Sequence, residues 1–574
     1  MRDCRSDPVA TWVVATGLFL LYVLMWSSPS CGGDGSVQFR NVSSESGLQY
    51  SYFNDFRPGR FLLPEMMGGG AAWIDFDGDG WQDIYFVNGT QLPPGLEGPT
   101  HTSKVFRNTS PGRFDDVTAL AEVGHMGYGQ GCAVGDVDND GFDDLYVTCY
   151  GSNTLYRNLG DGTFGNTTSI ANVSGSARWY SSCAFGDLDR DGALDLYATA
   201  YMKVPLTDDT VCVHDVTKKR VYCGPARYEA EPHTLYRNRG DGAFLDVTQD
   251  AGCTARNGRG LAVCIADLDD DSWPDVYVAN DMSVCFLYHN KTGDSNDGRA
   301  RKLRLHETGV LAGAALSGDG SGIAGMGIAC GDLDGSGRLG MFVTNYYGLP
   351  NIMFRNLGGL LFVDDSARAG LARPSLPLLG FGTGLLDCEN DGWLDLVVAN
   401  GHVLGPTHDP FAMKPQLFSN QGKGRFADIS DSSGQYFQDT WVGRGVAIAD
   451  YDNDGASDFL TVHQFRPTAL LHNLTRSRGH YIRLVLVARE SNRNAVNTRV
   501  WIEADGRTRM HEVVGGGSYL SASDRRVLVG LGGHERADVL RVRWPSGRND
   551  VWQNLAGDRS WMLVEGQPPR EMHP

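Results

Sequence analysis

The chain has twelve cysteines but no C-x-x-C pair, which sets aside zinc-ribbon and thioredoxin-type chemistry. It has no basic excess: 50 Lys and Arg stand against 69 Asp and Glu, for a formal charge of −19. Nucleic acid, whose phosphates need a basic surface, is therefore not an expected partner. No G-x-S-x-G elbow surrounds Ser521 and its neighbour Asp524, so "SYLSASD" reads as a polar loop and not as a nucleophile site. The 74 glycines follow no G-X-Y period, which points to turn-rich β structure rather than collagen. Beyond residue 26 no apolar run is long enough to span a membrane.

The one such run is residues 9–26, "VATWVVATGLFLLYVLMW", which follows Arg2 and Arg5 and precedes "SSPSCGGDG". Residues 1–33 read as a signal peptide or an N-terminal membrane anchor, and either places the rest of the chain outside the cytoplasm, secreted or at the cell surface. Cys212 and Cys223 flank a short insertion and could staple it as a disulfide loop. Cys132 and Cys183 read as buried strand residues with free thiols. Seven N-x-S/T sequons, at Asn41, Asn88, Asn108, Asn166, Asn172, Asn290 and Asn473, would carry glycan only in a eukaryotic secretory pathway.

At 574 residues the chain is too long for one ordinary core, and it repeats. "DFDGDGWQD" from Asp75 recurs from Asp136, Asp187, Asp267, Asp332, Asp387 and Asp450, at spacings of 51 to 80 residues. Most copies follow a Gly/Ala-rich strand such as "GRGVAIA" and precede an apolar strand such as "LYVTCY". Further on come hairpin signals such as "TLYRNLGDGTF" and "TLYRNRGDGAFLDVT", with alternating apolar residues about a Gly-rich turn. Strand, acidic loop, strand and hairpin make four strands per repeat. That predicts an all-β chain: a seven-bladed β-propeller over residues 34–475 and a small β-sandwich or barrel over 476–566, with 567–574 as a tail.

The acidic loops carry the chemistry. In the first box, Asp75, Asp77, Asp79 and Asp83 occupy positions 1, 3, 5 and 9, with Gly80 at position 6. That is the logic of an EF-hand loop, whose alternate residues point inward and whose position-6 glycine allows the turn. Phe86 stands where an EF-hand has its closing Glu, and the flanks are strands, so the box reads as a calcium loop closed by its position-9 aspartate. The same positions are Asp136, Asp138, Asp140 and Asp144 in the second box and Asp187, Asp189, Asp191 and Asp195 in the third. They are Asp267, Asp269, Asp271 and Asp275 in the fourth, where Ser272 replaces the glycine. The sixth has Asp387, Glu389, Asp391 and Asp395, and the seventh Asp450, Asp452, Asp454 and Asp458. The fifth keeps only Asp332 and Asp334, with Ser336 at position 5 and Gly340 at position 9. Carboxylates held ~5 Å apart repel by roughly a kcal/mol per pair even when well screened, so a counter-ion is expected. A hard all-oxygen set selects Ca²⁺ over Zn²⁺ or Mg²⁺. Six strong sites and a weak fifth box follow, and seven divalent ions would bring the formal −19 to −5.

The boxes and their lead-in strands resemble FG-GAP/VCBS repeats, as in integrin α-subunit propellers. Val513 to Arg548, "VVGGGSYLSASDRRVLVGLGGHERADVLRVRWPSGR", resembles the ASPIC/UnbV domain. Together, over about residues 37–562, they are similar to the cartilage acidic protein-like family. The resemblance implies an extracellular calcium-binding protein and no agreed activity. In the last domain, "YIRLVLV", "TRVWIEA", "RVLVGLG" and "VLRVRWP" alternate as strands. Gly515 to Gly517 read as a tight bend rather than a close backbone approach.

No catalytic constellation and no organic cofactor site emerges. His402, His408 and Asp409 in "GHVLGPTHDP" could form a metal or acid/base cluster, but loop histidines more often cap or face solvent. Trp179–Tyr180, Tyr346–Tyr347 and Trp441 read as blade core before they read as a contact surface. The favoured function is a non-enzymatic calcium-stabilised scaffold that binds an extracellular protein or glycan. The alternative is a secreted carbohydrate-active enzyme such as a polysaccharide lyase, which needs a convergent Lys/Arg/Tyr/His set on one propeller face.

Overall fold

The computed structural model describes residues 37–93, 101–207, 210–294 and 302–572; the N-terminal apolar segment lies outside them. Among the described residues no helix is long and apolar enough to cross a membrane. The structure is all-β. Each acidic box joins the first two strands of a four-stranded antiparallel unit. In the first unit Ala71–Ile74 pairs with Asp83–Phe86, then Lys104–Ser110 and Arg113–Asp116. The first strands of the next six units are Tyr128–Gly135, Arg178–Gly186, Gly260–Ala266, Ile328–Gly331, Gly380–Leu386 and Gly443–Ala449. The last unit borrows its fourth strand from the other end of the chain, because Phe39–Asn41 pairs with Ala469–Asn473.

These first strands pack side by side in a cycle, so the boxes all emerge at one end of a propeller-like ring. Second strands such as Asp195–Ala200 and Asp395–Asn400 are buried at every position, since each sheet is covered on both faces by its neighbours. Their sequences are accordingly apolar runs without alternation. Outer strands regain the alternation, as in Arg113–Asp116, where only Phe114 is buried.

A side-chain latch ties each unit to the one before it. The Asn108 amide donates to Gln82 O of its own box at 3.2 Å and to Tyr451 O of the last box at 2.9 Å. Asn158, Asn238, Asn290, Asn356, Asn420 and Asn473 repeat this around the ring, each reaching the carbonyl of box position 2 in the preceding unit. The carbonyls they satisfy would otherwise be buried without partners, so the latch is obligatory chemistry as well as a fastener.

Residues 480–572 form a module of two four-stranded sheets. One joins Val527–Gly532, His480–Val487, Arg559–Val564 and Arg570–Met572; the other joins Arg507–Glu512, Arg499–Ala504, Arg536–Arg543 and Asn549–Ala556. A shared core that includes Ile482, Val500, Leu540 and Trp544 lies between them. Arg570–Met572 is an edge strand paired with Ser560–Met562, which corrects the reading of residues 567–574 as a tail.

The module sits on the box end of the ring and threads its loop 513–526 into the central channel. Gly515 and Gly516 pair with Ile265 and Cys264 as an added strand. Further along, Ser518 bridges Ile328 and Ala522 bridges Ala72, Leu520 O accepts from Cys132 N at 3.1 Å, and the Tyr519 hydroxyl reaches Met67 O at 2.6 Å. The triple glycine is therefore a close backbone approach and not merely a bend: a Cβ at Gly515 would stand 2.1 Å from Phe185 O. No other residue fits there.

Candidate metal centres

Every box is folded by its own carboxylates. The position-1 aspartate accepts from the backbone of position 6, as Gly80 N does to Asp75 Oδ2 at 3.0 Å and Gly392 N to Asp387 Oδ2 at 2.7 Å. Position 5 accepts from position 7, as Trp81 N does to Asp79 Oδ1 at 3.0 Å. The position-9 aspartate, buried at the start of the second strand, accepts from the latch residue, with Asn108 N at 2.7 Å from Asp83 Oδ1. In the fourth box Ser272 takes the glycine's place with φ 73° and still donates to Asp267 Oδ2 at 3.1 Å. That strained turn costs backbone energy but no ligand.

These bonds leave oxygens over. Asp75 Oδ1, Asp77 Oδ1, Asp267 Oδ1, Asp450 Oδ1 and Asp458 Oδ2 are buried and accept no hydrogen bond. One ligand atom each from Asp75, Asp77 and Asp83 lie within 4.8 Å of one another, as do those of Asp136, Asp138 and Asp144. Burial, reinforced by neighbouring carboxylates, pushes Asp75 and Asp136 up to about 6, Asp144 to about 8 and Asp83 to about 9. Burial likewise raises Asp187 and Asp387 to about 7, and Asp195, Asp275, Asp395 and Asp458 well above the ordinary range. A cation among them would favour the ionised form of each. The first, second and third boxes offer oxygen alone and fit Ca²⁺; the fourth and seventh offer four carboxylates as well, with a ring nitrogen beside them, His289 with Asp269 and Asp271 and His472 with Asp452 and Asp458. Cys388 Sγ joins Glu389 and Asp395 in the sixth box. In the fifth, Asp332 keeps the turn through Gly337 N at 2.9 Å, but Gly340 brings no position-9 ligand.

The hairpin "YRN" and "FRN" signals concealed both the latch asparagines and a cation just before each. Arg107 reaches Asp77 at 2.5 Å and Asp79 at 3.1 Å. Arg157 serves Asp138 and Asp140, and Arg237 serves Asp189 and Asp191. The recurring Arg-Asn pair was visible in the sequence, but its role depends on facing the box across two strands. Four of the seven sequon asparagines, Asn88, Asn108, Asn290 and Asn473, are buried, and three of those belong to the latch. Asn41, Asn166 and Asn172 are exposed.

At the opposite end of the ring, Cys212 and Cys223 form the disulfide that staples the insertion. It brings His214 to His408, with ring centroids 5.2 Å apart, and His408 lies 4.3 Å from His402. The His402 Nδ1 accepts from Val403 N at 2.9 Å and Leu404 N at 3.2 Å, which leaves the neutral ring's proton on Nε2. That arrangement caps the loop and presents no lone pair to a metal. Ser521 is buried in the channel, where its hydroxyl accepts from Ala71 N at 3.2 Å, and Asp524 pairs with Arg526. Cys132 and Cys183 are free and buried. Trp179 and Tyr180 are core, while Tyr347 is exposed.

The FG-GAP-like repeat family matches residues 75–147, 136–198, 222–278 and 387–461, and the ASPIC and UnbV family matches residues 488–570. The fifth box falls outside the matched stretches. The chain is 28% identical over 336 residues to human cartilage acidic protein 1, covering 56% of this chain and 45% of that one. It is 27% identical over 338 residues to the mouse protein, covering 56% and 46%. It thus spans about half the length of the curated relatives it matches. A solved structure of an Agrocybe aegerita lectin that recognises non-reducing terminal N-acetylglucosamine covers 67% of this chain and 87% of its own, with 16% identity and a TM-score of 0.39.

Proposed function

We propose that this chain, which carries FG-GAP-like repeats and an ASPIC and UnbV domain, is an extracellular calcium-stabilised ring scaffold that presents a surface to a protein or glycan partner. The observation that carries the reading is the set of buried carboxylate oxygens with no hydrogen-bond partner in the first, fourth and seventh boxes, among them Oδ1 of the position-1 aspartates Asp75, Asp267 and Asp450. Nothing within the chain requires oxygens so placed, and a bound cation would complete them. In the first box Asp75, Asp77, Asp79 and Asp83 would hold the ion, and the corresponding residues would do so in the second, third, fourth, sixth and seventh. Calcium would supply positive charge that allows each buried set to ionise, tying the first strand of a unit to its second. The Cys212–Cys223 disulfide suits an oxidising compartment, and the relatives' name, cartilage acidic protein, points the same way. Calorimetric calcium titration of the chelator-treated protein tests the reading directly. Several sites are expected, with Asp75→Asn removing one and Asp332→Asn removing none. An absence of calcium binding at millimolar concentration would refute it. The partner is sought by capture of glycans and extracellular proteins with and without chelator.

A further inference from the structure

The residue facing each box from its own hairpin is not constant around the ring. It is an arginine in the first three units, Arg107, Arg157 and Arg237, then His289 in the fourth, the uncharged Ser419 in the sixth and His472 in the seventh. Arg355 of the fifth unit turns aside to Asp365 at 2.9 Å. Guanidinium groups of the C-terminal module reach the boxes where the ring's own arginine is missing. In the fourth, Arg543 donates to Asp267 Oδ2 at 2.7 Å. Arg499, itself buried, lies 3.5 Å from the same oxygen and bonds Asp267 O and Asp270. In the seventh, the buried Arg483 donates to Asp450 Oδ2 at 2.6 Å and Asn453 Oδ1 at 2.8 Å. In the sixth, Arg509 bonds Asp391 O at 3.3 Å. In the first three boxes the module touches no carboxylate at a ligand position among the described residues: Arg525, for instance, takes Asp143, at position 8 of the second box.

We propose that the boxes are divided in kind. The first three are calcium loops served by the ring alone. The fourth and seventh are shared between calcium and the docked module, with Arg543 and Arg483 as resident counter-ions that set their calcium affinity. This rests on the calcium reading above. Asp267 and Asp450 give Oδ2 to the module and keep Oδ1 buried and unpartnered, so the carboxylate that pairs with the module still has an oxygen to offer an ion. Guanidinium charge fixed by burial is poorly screened and disfavours a divalent ion beside it. By linkage, whatever calcium loses to docking, docking loses to calcium. Docking is also held by the loop in the channel, so the exchange tunes the two sites without ejecting the module.

The test is calcium titration of the full chain carrying Arg543→Gln or Arg483→Gln, with Arg543→Lys and Arg483→Lys as charge-keeping controls. Each Gln variant is expected to raise the affinity of one site about tenfold, and each Lys variant to leave it near wild type. Adding Asp271→Asn to Arg543→Gln, or Asp454→Asn to Arg483→Gln, is expected to abolish the gain. Thermal melting of each variant identifies any that fails to fold, and the more exposed Arg543 carries the test where Arg483→Gln does not fold. Unchanged or weakened binding in a folded Gln variant overturns the division while leaving the calcium reading intact. A wild-type chain that binds no calcium overturns both.

Discussion

The first and fifth units have the same frame and different chemistry. Both turn their box on a position-1 aspartate, through Gly80 N to Asp75 and Gly337 N to Asp332. Both latch to the preceding unit through an asparagine amide, Asn108 or Asn356. The first unit then adds Asp79 and Asp83 and an arginine paired with Asp77 and Asp79, while the fifth has Ser336, Gly340 and an arginine aimed elsewhere. The fifth unit nonetheless keeps its sheet and its place in the ring. The turn and the latch are therefore the architecture, and the remaining carboxylates are a charge load that the architecture tolerates.

The largest expected effect separates these two contributions by pH. In chelator, a carboxyl whose folded pKa is raised stabilises the fold fully below its unfolded value near 4, and that contribution is lost as pH climbs through the folded value. For Asp75 the loss runs from near 4 up to about 6, and for Asp83 it continues up to about 9. Several boxes add in the same direction, so the melting temperature in chelator should fall steadily from pH 5 to pH 8. With calcium the order reverses, because protons compete with the ion at low pH. Melting curves in both buffers decide it, and a chelated protein most stable at pH 8 would mean that these buried carboxylates carry no such load.

The next effect should be equal in the two units. Asn108→Ala and Asn356→Ala each strand two buried carbonyls, at about 1–3 kcal/mol apiece, so each variant should lose about 3 kcal/mol in denaturant unfolding, with or without calcium. A much smaller loss in the fifth unit would show that its latch is redundant, and the shared frame would then be an overstatement.

The box spacing showed both the repeat and its unequal fifth copy, because ligand positions in a nine-residue loop are local. The latch was not legible in the same way. Asn108 reads as a hairpin residue and a sequon, and only ring closure brings it to Tyr451, more than three hundred residues away. Nor could Arg483 or Arg543 be matched to a box, since that pairing depends on where the module sits. Gly515 was read locally as a bend, although its reason is the Phe185 carbonyl across the channel. What escaped the sequence is contact between distant segments, and His402 shows the same limit in reverse. Its neighbours gathered as the spacing allowed, but two backbone N–H groups had already taken the ring nitrogen a metal would need.

Calcium should split the two units at a smaller scale. A site saturated a hundredfold above its Kd contributes about 2.7 kcal/mol, so Asp75→Asn should remove about that much of the calcium-dependent stabilisation. Asp332→Asn should remove none of it, and its effect should be the same with and without chelator. Equal calcium-linked losses would mean that two carboxylates and a serine suffice to bind.

The smallest effect lies in the arginines. Arg107 is about 41% exposed, and an exposed ion pair contributes at most about 1 kcal/mol. In chelator Arg107→Gln should therefore cost only a few tenths of a kcal/mol, through the repulsion it leaves between Asp77 and Asp79. In calcium the sign should turn, since the guanidinium stands beside the ion and its removal should tighten the first site by a few-fold. Arg355→Gln, whose parent pairs with Asp365 and not with its box, should leave every calcium site as it was. If Arg107→Gln instead weakened calcium binding, the arginine would be orienting the carboxylates for the ion rather than standing in for it, and the ring-served boxes would differ from the module-served ones in mechanism as well as in position.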